Sequence, residues 1–282
     1  SSEKPTRDSL RNLEFRVNAA HGMPSPAALE RAAPSIPLGT PAPSYGQSLK
    51  ASDKLEWHRA RSVEYANFFP DKGLGAPSYQ QRKGKSRDPV LVLVDEGSLG
   101  PDAEIFRTFW VNTYKYGYTP QNEYIINGRR ARLVLMGNMQ KEGVHYDKTF
   151  APTPSHETLM TVLALAASND LDILQTDVKG AFLNGKMDNQ NMHIRNPRGW
   201  PPIPPGKVWR IEGNLYGAKQ APRLWAKKQA KHYIKCGWTV SQRDRSLFYR
   251  READGSTSMA FVHVDDGLLC CKTKYMQERK AE

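Results

Sequence analysis

Apolar residues recur along this chain with helical spacing in some segments and strand spacing in others. From Ser48, the segment SLKASDKLEWHRARSVEYANFF predicts a helix. Ser52 or Asp53 is placed to cap it, and Leu55, Trp57, Ala60, Val63 and Tyr65 give a loose apolar face. PVLVLV at 89–94 is the short apolar run of a buried strand, and a second strand is predicted over Phe109–Tyr116. YIINGRRARLVLMG carries a hairpin signal, Asn127-Gly128, followed by a strand. Alternate residues of a strand share a face, so Arg130 and Arg132 lie together. A second helix follows, with Thr153 as cap, Pro154 at its first position and Leu159, Val162, Leu163 and Ala166 on one side. LDILQTDV then alternates as a strand, and 195–206 (RNPRGWPPIPPG) is a proline-rich loop. A basic helix is predicted from about Pro222 to Lys235, ending at Gly237. Finally MAFVHV, a tight DDG turn and LLCC predict a β-hairpin. No internal repeat is visible.

Two stretches break the pattern. Residues 1–47 hold seven of the twenty prolines, mixed with Ala, Ser and Gly without apolar periodicity. They predict a disordered tail, with a short ordered arm packed on the domain as the alternative. Residues 70–88 are turn-rich and basic and predict an exposed loop.

Composition narrows the function. The 282 residues suit one large domain or two small ones. The chain carries 41 Lys and Arg against 29 acids, a net charge of +12. That excess favours a polyanionic partner, most often nucleic acid, with an anionic membrane surface as the other option. Between Pro205 and Arg251 there are twelve cations and two acids, beside Trp209, Tyr216, Trp225, Tyr233 and Trp238. Cations interleaved with aromatics suit a phosphate backbone and its bases; a solvated basic helix with its aromatics in the core is the plainer account. No run reaches the ~18 apolar residues of a membrane span, and the first residues, SSEKPTRDSLRN, lack the apolar centre of a secretory signal. Three cysteines, two of them adjacent, make no disulfide framework, so a reducing intracellular compartment is expected. Without a C-x-x-C pair, zinc is not expected either.

Two acidic spots stand out against this basic background. Asp177 sits inside the apolar strand Leu174-Gln175-Thr176-Asp177-Val178, and Asp265-Asp266 sit between two apolar strands. A carboxylate in such surroundings needs compensation. A hydrogen-bonded turn would serve the pair, and a buried salt bridge would serve Asp177. The alternative brings all three together around divalent cations, which take hard oxygen ligands and substrate phosphates.

QTDVKGAFLNG (175–185), NLYGAKQAPRLW (214–225) and FVHVDDGLL (261–269), in this order, resemble the reverse transcriptase of copia-type LTR retrotransposons. RRARLVLMGNMQKEGVHYDKTFAPT (129–153) is similar to that family's fingers segment, and Trp57, Ala60 and Glu64 match the spacing of its opening helix. The resemblance covers about residues 48–282. It implies an α+β fold, a right-hand polymerase whose antiparallel palm sheet carries packed helices. The expected divisions are fingers with the N-terminal helix over 48–170 and palm over 171–282, with a fingers-like insert at about 186–220 and the thumb missing. It implies an RNA-directed DNA polymerase acting on an RNA template, a DNA primer and dNTP, with two Mg²⁺ (or Mn²⁺) ions.

The site residues follow from the same resemblance. Asp177 and Asp265 match the metal-binding aspartates, Asp266 the third acid, and the carbonyl of Val178 faces a metal. Phe182 matches the aromatic residue that excludes a nucleotide 2′-hydroxyl. Arg130 and Arg132 match basic residues near the triphosphate, and Gly217, Lys219, Gln220 and Pro222 match the loop lining the nucleotide and template pocket. Lys219, Arg223, Lys227, Lys228, Lys231 and His263 are the expected nucleic-acid contacts. The chain departs from the family at His263, where Tyr is usual, at Met136 and Asn138, and at Asn189, Gln190 and Asn191. The family's thumb and ribonuclease H, expected partners from the same polyprotein, are not in the sequence. The expected location is a cytoplasmic virus-like particle or the nucleus. Two rivals remain: a catalytically inactive nucleic-acid-binding remnant, and a two-metal nuclease.

Overall fold

Trp57, Arg61, Glu64 and Phe68 fall four, three and four residues apart, the spacing of one helical stripe. In the computed structural model, which describes residues 36–69, 88–178, 180–189 and 191–281, all four are buried. They belong to helix α2 (Lys54–Phe68), which follows a single turn, α1 (Tyr45–Ser48). The buried stripe is half polar, and Val63, expected on the apolar face, is 41% exposed. Asp53 precedes α2 as expected, yet its carboxylate does not cap the helix. It pairs with the Arg129 guanidinium at 2.8 Å, both side chains buried. Of the tail expected over 1–47, residues up to 35 lie outside the described residues, as does most of the loop expected at 70–88. The last of the tail is an ordered arm: Ser44 and Gln47 form a reciprocal capping box on α1, and Pro43 accepts a hydrogen bond from the Asn112 amide at 2.8 Å.

The chain divides into two compact units. One takes the residues up to Met139 together with Gln190–Gly217; the other takes Gln140–Asn189 together with Ala218–Glu282. The first unit holds strands β1 (Leu91–Asp95), β2 (Glu104–Phe106), β3 (Thr108–Tyr118), β4 (Tyr124–Leu135), β6 (Met192–Ile194) and β7 (Lys207–Ile211). Its four-stranded sheet runs β1-β7-β6-β2, and β3 and β4 form a separate hairpin. The turn of that hairpin is not at Asn127-Gly128. It lies between Tyr118 and Tyr124, with Asn122 in the left-handed region (φ 63°). Asn127 is instead the extra residue of a bulge, where the register steps from Lys115↔Gly128 to Tyr116↔Ile126. Its side chain lies over Gly117, where any Cβ would fall 2.1 Å from the amide nitrogen.

The second unit is built on a five-stranded antiparallel sheet, β5 (Asp172–Asp177), β11 (Asp266–Cys271), β10 (Thr257–His263), β9 (Leu247–Arg251) and β8 (Thr239–Val240), in that order. Helix α3 (His156–Ser168) is capped by Ser155, whose Oγ accepts from the Thr158 N–H at 3.0 Å, two residues beyond the expected cap. Its Val162 and Ala166 are buried with Met259 and Cys270 of the sheet. Helix α4 (Ala221–Lys235) carries Pro222 in its first turn and is followed by Gly237 at φ 85°. Trp238, Phe248, Val262 and Leu269 form a second apolar cluster with Tyr233 of α4 and Tyr275 of α5 (Thr273–Ala281). The architecture is α+β. No helix among the described residues is long and apolar enough to cross a membrane.

Candidate active site

Asp177 ends β5 and Asp266 begins β11, and the two are direct partners across the antiparallel pair. One residue earlier, Asp265 forms the turn with Val264, and its carbonyl accepts the Val178 N–H at 2.7 Å. The sheet thus brings the three carboxylates to one end of two neighbouring strands. The burial expected of them does not occur. Asp177 and Asp266 are exposed and Asp265 is half-buried; β5, which carries Asp177, is the edge strand of its sheet and leaves even Ile173 49% exposed. A buried salt bridge is therefore not what compensates Asp177. His263, paired with Asp266 across the hairpin, is likewise exposed.

The turn also differs from the expected DDG. Val264 and Asp265 are its two central residues, and Val264 takes the left-handed conformation at φ 59°. Gly267 lies inside β11 opposite Thr176, and a Cβ there would come 2.7 Å from the threonine hydroxyl. The glycine serves close strand packing instead of the turn. Behind the hairpin, the Trp225 indole N–H donates to the Val264 carbonyl at 2.6 Å. Phe182 is half-buried at the start of a 3₁₀ turn, Phe182–Asn184, after β5.

In the first unit, Arg130 and Arg132 share one face of β4, opposite Thr113 and Val111. Tyr216 joins them: Arg130 hydrogen-bonds its hydroxyl, and the Arg132 guanidinium stands 5.9 Å from the ring centroid. The open edge of β4 is closed by Glu64, whose carboxylate accepts from the Leu133 N–H at 3.2 Å and the Asn67 amide at 3.3 Å. Burial pushes the Glu64 carboxyl above its usual pKa, against those two bonds and the two arginines. Gly217 sits at φ 84°, and a Cβ there would lie 2.3 Å from the Leu135 carbonyl oxygen, so only glycine fits.

In the second unit, Lys219 is exposed and reaches the Tyr146 hydroxyl at 3.1 Å. Gln220 departs from the expectation of a pocket-lining residue. It is fully buried, donating to the His145 carbonyl and accepting from Gln140, whose own oxygen takes the Lys219 N–H. An amide so enclosed shapes the loop and offers no atom to a nucleotide.

Residues 100–281 match the family model for reverse transcriptase (RNA-dependent DNA polymerase). The chain belongs to this family, in its copia-type retrotransposon branch. It is 34% identical over 148 residues to the retrovirus-related Pol polyprotein from transposon TNT 1-94 of Nicotiana tabacum, and 32% identical over 161 residues to that from transposon RE1 of Arabidopsis thaliana. These alignments cover 51% and 57% of this chain, and 11% of each polyprotein. A putative transposon Ty5-1 protein of Saccharomyces cerevisiae is 34% identical over 104 residues, which is 36% of this chain and 33% of that protein. The chain therefore spans about a tenth of the length of the plant polyproteins it matches.

Members of the reverse transcriptase family generally use divalent metals. The carboxylates here suit hard cations in kind, being acceptor-only oxygens open to solvent at one sheet end. Among the described residues, no three His, Cys, Asp or Glu side chains converge as a ready cluster. Magnesium needs only one or two carboxylates beside substrate phosphates and water, so the pair across β5 and β11 meets that requirement.

The nucleic-acid contacts expected on α4 divide. Arg223, Lys227, Lys231 and Lys235 recur every four residues and form one stripe, with Lys227, Lys231 and Lys235 exposed. Arg223 is half-buried and reaches Asp188 at 3.4 Å, and Lys228 donates to the Asn184 carbonyl. The tryptophans of this stretch of sequence do not offer stacking faces: Trp209, Trp225 and Trp238 are 6%, 7% and 4% exposed. Sequence reasoning missed the Asp53–Arg129 pair, the Glu64 edge closure and the Trp225 bond. The stripe through Arg61 and Glu64 had a helical period that would have revealed the second of these.

Proposed function

We propose that this reverse transcriptase domain joins deoxynucleotides to a primer 3′-hydroxyl on an RNA template, with Asp177, Asp265 and Asp266 as its catalytic carboxylates. The observation that carries this is the register of Asp177 against Asp266, with Asp265 in the adjoining turn. By family resemblance, Asp177, Asp265 and the Val178 carbonyl would hold two Mg²⁺ or Mn²⁺ ions, with Asp266 as the third acid. Such ions, when bound, supply Lewis acidity to the attacking hydroxyl and charge neutralisation to the triphosphate. The protein's own part is position and charge. Arg130 and Arg132 grip triphosphate oxygens, a task suited to a planar fork. By family resemblance, Phe182 excludes a nucleotide 2′-hydroxyl and Gly217 and Lys219 contact the nucleotide, while Gln220 braces the Lys219 loop from within. The exposed cations of α4, with His263 near the primer end, take the nucleic-acid backbone. In these terms the unit with β3 and β4 is the fingers and the five-stranded sheet the palm.

Primer extension on an RNA template with Mg²⁺, then Mn²⁺, tests the proposal. Extension that disappears in Asp177→Asn supports it. Extension that survives in Asp177→Asn refutes the assignment. The exposed stripe of Lys227, Lys231 and Lys235 supports one second reading, binding without catalysis. Salt-sensitive hybrid binding with no extension by the wild-type chain would establish that alternative, and degradation of primer without nucleotides would point to a nuclease.

A further inference from the structure

Val264 pays a conformational cost that its surroundings must offset. A β-branched residue in the left-handed region is a true outlier. The turn it occupies is two residues long, bracketed by His263 opposite Asp266, and the second turn residue is Asp265. Packing does not fix the turn from behind. A cavity of about 700 Å³ lies there, lined by Trp225, Phe248, Val262 and Val264 among others. Two hydrogen bonds hold the turn: Val178 N–H to the Asp265 carbonyl at 2.7 Å, and Trp225 Nε1–H to the Val264 carbonyl at 2.6 Å. The first comes from the residue that follows β5. The second reaches in from α4, whose Trp225 is itself buried.

We infer that Trp225 is a positioning residue that pins the strained Val264 turn and so fixes where Asp265 presents its carboxylate. This rests on the reading of Asp177 and Asp265 as metal ligands. Without the indole N–H, Val264 relaxes toward negative φ into the space behind it, and Asp265, one bond further on, moves away from Asp177. Glycine at 264 carries no penalty at positive φ, so a Val264→Gly turn keeps its shape without the pin. The dependence on Trp225 is therefore removed in that background.

Mn²⁺ binding to the full chain, read from the free-ion signal in electron paramagnetic resonance and competed with Mg²⁺, tests this without requiring catalysis. Five proteins are compared: wild type, Asp177→Asn, Trp225→Phe, Val264→Gly and Trp225→Phe/Val264→Gly. The expected result is binding that Asp177→Asn abolishes and that Trp225→Phe weakens about tenfold, the scale of one lost hydrogen bond. The double variant should bind as Val264→Gly alone does. A coupling of this kind is what a double-mutant cycle isolates. Equal affinity in Trp225→Phe and wild type overturns the inference and leaves the metal reading standing. So does a weakening that Val264→Gly fails to relieve, which is the outcome of a merely structural loss. Binding indifferent to Asp177→Asn overturns the metal reading and the inference with it.

Discussion

Glu64 is buried with the aromatic residues that share its stripe, its carboxylate held by the Leu133 N–H and the Asn67 amide. Burial raises its folded pKa above the unfolded value. The folded state therefore prefers the protonated acid. This residue's contribution to stability is fully present below the unfolded pKa, near 4.5, and is lost as pH rises through the folded one. Comparing Glu64→Gln with wild type by denaturant unfolding at pH 5 and pH 7.5 should show the wild-type chain losing stability relative to the variant at the higher pH. A difference independent of pH would mean the carboxylate is already ionised when buried. Gly217 makes a sharper steric case. Gly217→Ala must accept a left-handed backbone and a clash with the Leu135 carbonyl, so a loss of about 2 kcal/mol or more is expected in the same assay. These two residues mark the limit of what single positions reveal. The three aspartates were legible because an acid among apolar neighbours is conspicuous. Glu64 was not, because a polar residue on a helix is ordinarily read as its solvent face.

At the scale of elements, the strands and helices that carry the site follow from periodicity, while their ends and turns follow from contacts that periodicity does not contain. The β10–β11 hairpin is where it was expected, but its turn sits one residue earlier, since Thr176 needs the missing side chain of Gly267 and leaves Val264 to bend. Asn127-Gly128 is a strong turn dipeptide that this fold spends on a bulge. Helix α5 was missed outright, because its sequence has almost no apolar stripe. Besides the packing of Tyr275 and Met276 on the sheet's apolar cluster, it is held by charge: Arg279 donates to the Glu252 carboxylate at 3.0 Å, both side chains are buried, and Ser258 donates to the same oxygen. Breaking a buried pair from one side leaves an uncompensated charge. Arg279→Ala should therefore cost about 3–5 kcal/mol, whereas replacing Arg279 and Glu252 together by Met and Leu should cost far less. Equal losses from the single and the double change would mean that packing of the arginine stem, not the ion pair, holds α5.

Across the whole molecule the charge is segregated, with ten of the twelve net positive charges lying between Pro205 and Arg251. The composition alone suggested that aromatics within this stretch would stack on bases. The structure assigns the tryptophans to the core and leaves Lys227, Lys228, Lys231 and Lys235 of α4 exposed. Association through such a surface is electrostatic and indifferent to sequence, and its affinity falls with salt because bound counterions are released from the phosphates. Each neutralised phosphate contributes about 0.9 to the slope of log affinity against log salt for a B-form duplex. Lys227 and Lys231 are exposed on one stripe. Their replacement by Gln should weaken binding of an RNA–DNA hybrid at low salt and reduce that slope by about 2. The reduction should be the same for hybrids of unrelated sequence, since no base edge is read. An unchanged slope would place the phosphate contacts on another surface. A change confined to one hybrid sequence would mean that the stripe reads bases, which its lack of exposed tryptophan argues against.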